Sequence, residues 1–102
     1  MARILAIYKT PTDKAAFDKY YFGTHVPLAK TIPGLTKYEV NSGPVMTPQG
    51  TSATYLVATL HFKSMEDIAK GMASPEGKAT AADVPKFASA GVDILFFDDK
   101  TV

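Results

Sequence analysis

Apolar residues recur along this chain at two spacings, every second residue and every third or fourth, with proline and glycine between the blocks. Residues 4–8 are a short run of large apolar side chains, the pattern of a strand. Thr10-Pro11-Thr12 interrupts it, and a side-chain oxygen of Thr12 or Asp13 can cap a following helix. Ala16, Phe17, Tyr20, Tyr21 and Thr24 then fall at helical spacings, which predicts a helix over 13–23 and a further turn over 27–31. Pro33-Gly34 is a turn pair. Residues 35–41 read as a second strand with Tyr38 and Val40 on one face, and 42–52, with two glycines and two prolines, read as a loop. The β-branched and aromatic run 54–62 is the clearest strand. Ser64-Met65-Glu66-Asp67 resembles a capping box with Asp in the Glu place, and Met65, Ile68, Ala69 and Met72 form the stripe of a second helix. Ser74-Pro75 supplies a fresh cap and first position for a helical stretch towards Ala88, interrupted by Pro85. Gly91 releases a last strand over 92–98.

This order, strand-helix-strand-strand-helix-strand, is two split βαβ halves. The expected fold class is α+β, a ferredoxin-like βαββαβ domain with a four-stranded antiparallel sheet, spanning 1–102 as a single domain. Right-handed crossovers place both helices on one face of the sheet. The uncovered face should then be polar at alternate positions. It is not: Leu56, Ala58, Leu60 and Phe62 are opposed by Tyr55, Val57, Thr59 and His61, and both faces of 92–98 carry large apolar residues. Exposing several hundred square ångströms of such surface would cost many kcal/mol at roughly 25 cal/mol per Å². The sequence therefore predicts a homodimer packed sheet to sheet, enclosing a cavity lined by the mixed faces and suited to a small hydrophobic molecule.

Composition narrows the function classes. A chain of 102 residues with 46% hydrophobic and 21% charged side chains is an ordinary globular domain. Net charge is +1 with scattered basic residues, of which only Arg3 is arginine, and this argues against a nucleic-acid partner. There is no cysteine, so disulfides and thiolate chemistry are excluded. No segment approaches the roughly 18 apolar residues of a membrane span, and the N-terminal apolar stretch is too short for a signal peptide. The expectation is no membrane association and a cytoplasmic location.

One run concentrates candidate chemistry: Phe17-Asp18-x-Tyr20-Tyr21-x-x-x-His25-x-Pro27-Leu28-Ala29-x-x-Ile32-Pro33-Gly34-Leu35. Tyr21 lies one turn before His25 and shares its helical face, whereas Tyr20, about 100° away, is expected to pack on the sheet. The proline at 27 should end or bend the helix and hold His25 at its boundary. An imidazole there suits a general acid or base, since it titrates near pH 6.5 unperturbed; the plainer role is a cap on the last helical carbonyls. Tyr8, Tyr38 and Tyr55 are candidate cavity-lining groups, each able to bond a ligand through its hydroxyl, with core filling as the plainer role. His61 lies on the mixed face of its strand, towards the end where Arg3, Asp98 and His25 are expected to gather. Asp83 and Phe87 belong to an irregular helical region that could cover a cavity. Two histidines without spaced carboxylates predict no metal site.

Together with Tyr8 and Lys9, the same run resembles the EthD family, within the dimeric α+β barrel superfamily. The resemblance is specific from about Tyr8 to Tyr38 and includes His25-x-Pro27 and Pro33-Gly34. The family takes its name from a protein required for bacterial ethyl tert-butyl ether degradation. Some fungal members are dehydratases or decarboxylases in polyketide pathways, and the wider superfamily includes cofactor-free monooxygenases, lactone isomerases and haem-binding enzymes. The resemblance implies an EthD-like protein acting on or binding a small apolar or aromatic compound in a catabolic or biosynthetic pathway. If it is an enzyme, it is a cofactor-independent isomerase, dehydratase, decarboxylase or monooxygenase-like protein, with His25 and Tyr21 as catalytic residues. Tyr8, Tyr38, Tyr55, His61 and Phe87 would then contact the substrate. The alternative is a non-catalytic accessory or carrier protein that holds a hydrophobic intermediate in the dimer cavity.

Overall fold

A computed structural model describes all 102 residues. The chain runs β1 (Ala2–Lys9), α1 (Lys14–Tyr20), a π-helical turn (Tyr21–His25), α2 (Val26–Ala29), β2 (Lys37–Val40), β3 (Met46–Thr47), β4 (Gly50–Thr51), β5 (Thr54–Phe62), α3 (Met65–Ala73), α4 (Pro75–Asp83), a 3-10 turn (Val84–Lys86) and β6 (Val92–Asp98). Four strands form one sheet in the order β2-β5-β1-β6, antiparallel throughout, which is the ferredoxin-like α+β arrangement. The segment expected as plain loop over 42–52 contains a small separate hairpin, β3 paired with β4.

The caps expected from the sequence form. Asp13 accepts from the Ala16 amide, Ser64 from Asp67 and Ser74 from Gly77, each satisfying a first-turn donor that has no partner within its helix. Ser74 also ends α3, so α3 and α4 meet at a sharp knee. Gly77 makes that knee possible, because a Cβ there would lie 2.1 Å from the Gly71 carbonyl oxygen.

The first helix departs from expectation at Pro27. It does not stop near Gly23 but continues through the π turn and past Pro27 to Ala29. Proline has no N–H and crowds the carbonyl four residues back, here that of Gly23. The wider π turn shifts the bonding register, with the Val26 amide bonding to the Tyr21 carbonyl, and so accommodates the ring without a break.

The helices cover the sheet face that carries Ala2, Ile4, Ala6 and Tyr8 of β1 and Leu56, Ala58, Leu60 and Phe62 of β5, all buried. Phe17, Tyr21, Ala29, Ile32, Ile68 and Phe87 complete the core from the helix side. The opposite face has no cover. It carries Leu5, Ile7, Val57, Leu95 and Phe97, and at one end a polar chain in which His61 meets Arg3 at 2.8 Å and Glu39 at 2.6 Å. Arg3 also pairs with Asp99, not the neighbouring Asp98. The edge strand β6 is only partly covered: even on the helix face, Ile94 and Phe96 remain 46% and 47% exposed.

Candidate functional site

The π turn places Tyr21 and His25 above one another, with ring centroids 5.4 Å apart, as their spacing predicts. Both side chains point into the core, and His25 is only 3% exposed. Phe87 closes on the imidazole from the other side, its ring centroid 4.6 Å away. Tyr8, Phe17, Tyr21 and Phe87 pack mutually with centroids 5.5–5.7 Å apart, so the histidine is held in an aromatic clamp.

His25 has a partner that sequence reasoning did not assign. Its Nδ1 lies 2.9 Å from Oδ2 of Asp83, which is itself 5% exposed. The other oxygen of Asp83 accepts the Tyr20 hydroxyl at 2.6 Å, with the Lys86 ammonium 3.9 Å away. Tyr20 is therefore turned to Asp83 and Phe87, correcting the expectation that it packs on the sheet. Asp83 stands at the C-terminal end of α4, where the helix dipole disfavours an anion, and burial disfavours it further. Desolvation pushes its carboxyl up, but hydrogen bonds from Tyr20 and His25 and the Lys86 charge outweigh this and hold it below the ordinary carboxylate range. Burial pulls the His25 imidazole below its ordinary value, against the opposing pull of Asp83. At neutral pH the pair is thus a carboxylate and a neutral imidazole whose Nδ1–H donates to Asp83.

The other imidazole nitrogen has no protein partner. Every fully buried side-chain nitrogen and oxygen is hydrogen bonded, so Nε2 reaches open space. That space is a cavity of about 160 Å³ between the helices and the sheet, inside one chain. Thirteen of its fifteen lining residues are hydrophobic, and the exceptions are His25 and Thr80. Tyr8 and Tyr38 are among the thirteen, and Ile94 and Phe96 form its rim on the open strand. The Tyr21 and Tyr38 hydroxyls lie 2.6 Å apart. Tyr8 is 2% exposed, yet its hydroxyl also has no protein partner, so it too reaches the cavity. Burial raises the pKa values of Tyr8, Tyr21 and Tyr38, with the neighbouring phenols adding to the shift at Tyr8 and Tyr21, so all three stay protonated.

Of the residues expected at a site, His25, Tyr8 and Tyr38 line this cavity, Tyr21 backs Tyr38, and Phe87 backs His25 without reaching the void. Tyr55 and His61 lie elsewhere. β5 is irregular opposite Tyr8 and Lys9, where Leu56 and Thr54 take the paired positions and Tyr55 is the extra residue. That bulge re-aims Tyr55 towards α1, where its hydroxyl meets Asp18 at 2.9 Å and its ring meets Phe17. It borders an open groove of about 390 Å³ instead. His61 is on the uncovered face and does not share a site with His25. This cavity lies beneath the covered sheet face, inside one chain, and is distinct from the space between two copies expected along the mixed faces. Asp83 did leave one signal in the sequence: it is the sole acidic residue between Gly77 and Gly91, set among alanines just before Val84-Pro85.

Residues 9–91 match the EthD domain. An uncharacterized 11.0 kDa protein of Rhodococcus erythropolis, from the thcB-thcC intergenic region, is 41% identical over all of this chain and 98% of its own length. Among solved structures, an ethyl tert-butyl ether d (EthD) family protein of Bacillus halodurans is 35% identical, with a TM-score of 0.90 over 98% of this chain and 99% of that one. A dimeric protein of unknown function and ferredoxin-like fold from Bacteroides fragilis shares the fold at 16% identity, with a TM-score of 0.63 over 96% of this chain and 95% of that one.

Proposed function

This chain belongs to the EthD domain family, and from that membership we propose that it transfers a proton on a small apolar or aromatic compound held in the cavity between helices and sheet. One observation carries the reading: the buried His25 is fixed through Nδ1 by Asp83 while Nε2 opens on an apolar void. A neutral imidazole held in one tautomer by a carboxylate is a general base with its lone pair already aimed. Apolar cavities of about 150 Å³ hold benzene, so one of about 160 Å³ suits a single-ring compound. Proton transfer serves isomerisation, dehydration and decarboxylation alike. As a working unit we propose a homodimer that covers Leu5, Ile7, Leu95 and Phe97 sheet to sheet, supported by the dimeric Bacteroides fragilis neighbour of the same fold.

Ligand-observed NMR with one-ring aromatic, ether and cyclic ketone compounds in heavy water tests this directly. Compounds that bind should do so to the intact protein and not to Ala81→Phe, which fills the cavity from an exposed position on α4. Deuterium should enter acidic C–H positions with the intact protein, and His25→Gln should abolish that exchange while binding remains. If compounds bind but no proton exchanges, the protein is a carrier. If none binds, the cavity is only a packing defect.

A further inference from the structure

The cavity presents an uneven set of polar groups. Its one basic acceptor is His25 Nε2, and its donors are phenols. The Tyr21 and Tyr38 hydroxyls bond at 2.6 Å, and either can donate. Tyr38 lines the cavity and Tyr21 does not, so a ligand oxygen there selects the arrangement in which Tyr21 donates to Tyr38 and the Tyr38 hydrogen points into the cavity. The Tyr8 hydroxyl, with no protein partner, supplies a second donor in the same wall. All other lining groups except Thr80 are hydrophobic, and Thr80 spends its hydroxyl hydrogen on the Glu76 carbonyl. Two donors and one basic acceptor inside an apolar shell match a ligand with one oxygen acceptor and one acidic hydrogen beside it.

We propose that Tyr8 and Tyr38 form an oxyanion-binding pair, and that the cavity takes a one-ring compound bearing a carbonyl next to an acidic C–H, or its enol or phenol form. This rests on the proposed role of His25 as base and names the substrate class. In the reaction, Nε2 takes the proton from carbon. The electron pair of the broken C–H bond forms the new C=C bond, and the carbonyl π pair moves onto oxygen. That oxygen accepts from Tyr8 and Tyr38, a preorganised arrangement that is worth most where water is excluded. The proton on Nε2 then returns to the oxygen or to another carbon, so the sequence needs no oxidant or reductant. Asp83 stays ionised and stabilises the imidazolium formed in between.

The probe is 4-nitrophenol, a coloured mimic of the ring enol, whose nitro group can extend to the rim at Ile94 and Phe96. At a pH where the free compound is mainly neutral, the bound form should show the phenolate absorption band, its proton having passed to His25. Tyr8→Phe removes a hydroxyl that bonds to nothing in the protein, so it should fold normally and weaken phenolate binding about tenfold or more, as loss of a hydrogen bond to a charged oxygen does. Toluene, with no oxygen, should bind the intact protein and Tyr8→Phe equally. If 4-nitrophenol binds only as the neutral phenol, or Tyr8→Phe binds the phenolate unchanged, the oxyanion pair is refuted while the His25 reading stands. If toluene and 4-nitrophenol both fail to bind, both readings fall together.

Discussion

Asparagine at position 83 should disable the base while leaving the fold in place. Asp83 offers Oδ1 to the Tyr20 hydroxyl and the nearby Lys86 ammonium, and Oδ2 to His25 Nδ1. An amide has one oxygen and one NH₂. The Lys86 charge disfavours the NH₂ on its own side, so in Asp83→Asn the oxygen stays with Tyr20 and the nitrogen turns to His25. Two N–H donors cannot face one another, so the imidazole proton moves from Nδ1 to Nε2. The nitrogen facing the cavity then donates instead of accepting. Losing the charge also removes the one influence that holds the imidazole pKa up, so His25 should titrate at a lower pH than in the native protein. Exchanging a charge-assisted bond, worth about 1.5–3 kcal/mol, for a neutral one of about 0.5–1.5 makes the His25 contact weaker by roughly 1–2 kcal/mol. For a domain of this size that is a fall in Tm of roughly 5–15 °C. Proton exchange should suffer far more, by about 10⁴-fold, the loss seen when a histidine base is put in the wrong tautomer by the same substitution. Nitrogen-15 NMR of the imidazole reads the tautomer directly, and the only other histidine is His61. An Asp83→Asn protein that keeps the Nδ1–H tautomer and the native titration midpoint refutes this reasoning.

Three further outcomes follow from the same contacts. Gly77→Ala puts a methyl 2.1 Å from the Gly71 carbonyl oxygen and 2.6 Å from the Met72 Cα, so the α3–α4 knee must open. Overpacking of about 1–3 kcal/mol or more should exceed the roughly 1 kcal/mol gained in helix propensity, whereas Gly23→Ala, with nothing within 4 Å, should be neutral or stabilising; a Gly77→Ala melt at or above native excludes the close approach. Acid should weaken the fold, because His25 and Asp83 both have folded pKa values below their unfolded ones. The unfolded chain then binds more protons, and stability present above about pH 6.5 declines as pH falls through the His25 midpoint, then falls again below about pH 4 with Asp83. A Tm that is flat or rising from pH 7.5 to 5 contradicts this. Leu95→Glu, on the uncovered face at a half-exposed position, should leave a folded protein that light scattering sizes as a monomer where the native chain is a dimer.

Local pattern sufficed where one physical term dominates. The alternation of β-branched and aromatic residues set β5 at Thr54–Phe62, and Gly91 with the apolar run after it set β6 at Val92–Asp98. The caps at Asp13, Ser64 and Ser74 were legible because each offers a side-chain oxygen where the backbone leaves amides without partners. Pro27 misled for an equally definite reason: the π turn before it widens the bonding register by one residue, which a rule about proline in α-helices does not contain. Tyr55 misled because strict alternation presumes a regular ladder, and one extra residue in β5 turned its side chain to the other side. The Tyr21–His25 pair was readable from spacing along one helix, but Asp83 is 58 residues away and reaches His25 only once α4 lies against α2. The uncovered face pointed to a cavity between two copies, and the void inside one chain was not legible from it. That face reads as apolar in sequence, yet Arg3, Lys37, Glu39 and His61 share it, while the void inside one chain reaches the edge strand β6, where Ile94 and Phe96 remain half exposed on the helix face.

Burial acts on the two kinds of titratable group in this cavity in opposite directions, and the direction of proton flow follows from that. Desolvation disfavours whichever form is charged, so it holds Tyr8, Tyr21 and Tyr38 protonated and His25 deprotonated. At neutral pH the wall therefore contains filled donors and one empty acceptor, and no proton passes among them at rest, since a phenolate beside an imidazolium would place two charges in an apolar shell. A ligand changes the balance only by bringing its own proton and an oxygen able to carry the resulting charge to the phenols. The carboxylate of Asp83, held ionised by Tyr20 and Lys86 on the outer side of the same wall, supplies the compensating charge once His25 is protonated. An apolar compound without an ionisable hydrogen meets the same cavity as a dry space and nothing more. Toluene and 4-nitrophenol should therefore differ not in whether they enter but in whether His25 gains a proton, and imidazole nitrogen shifts recorded with each ligand would separate the two. Equal shifts with both would show that the histidine does not sense the ligand at all.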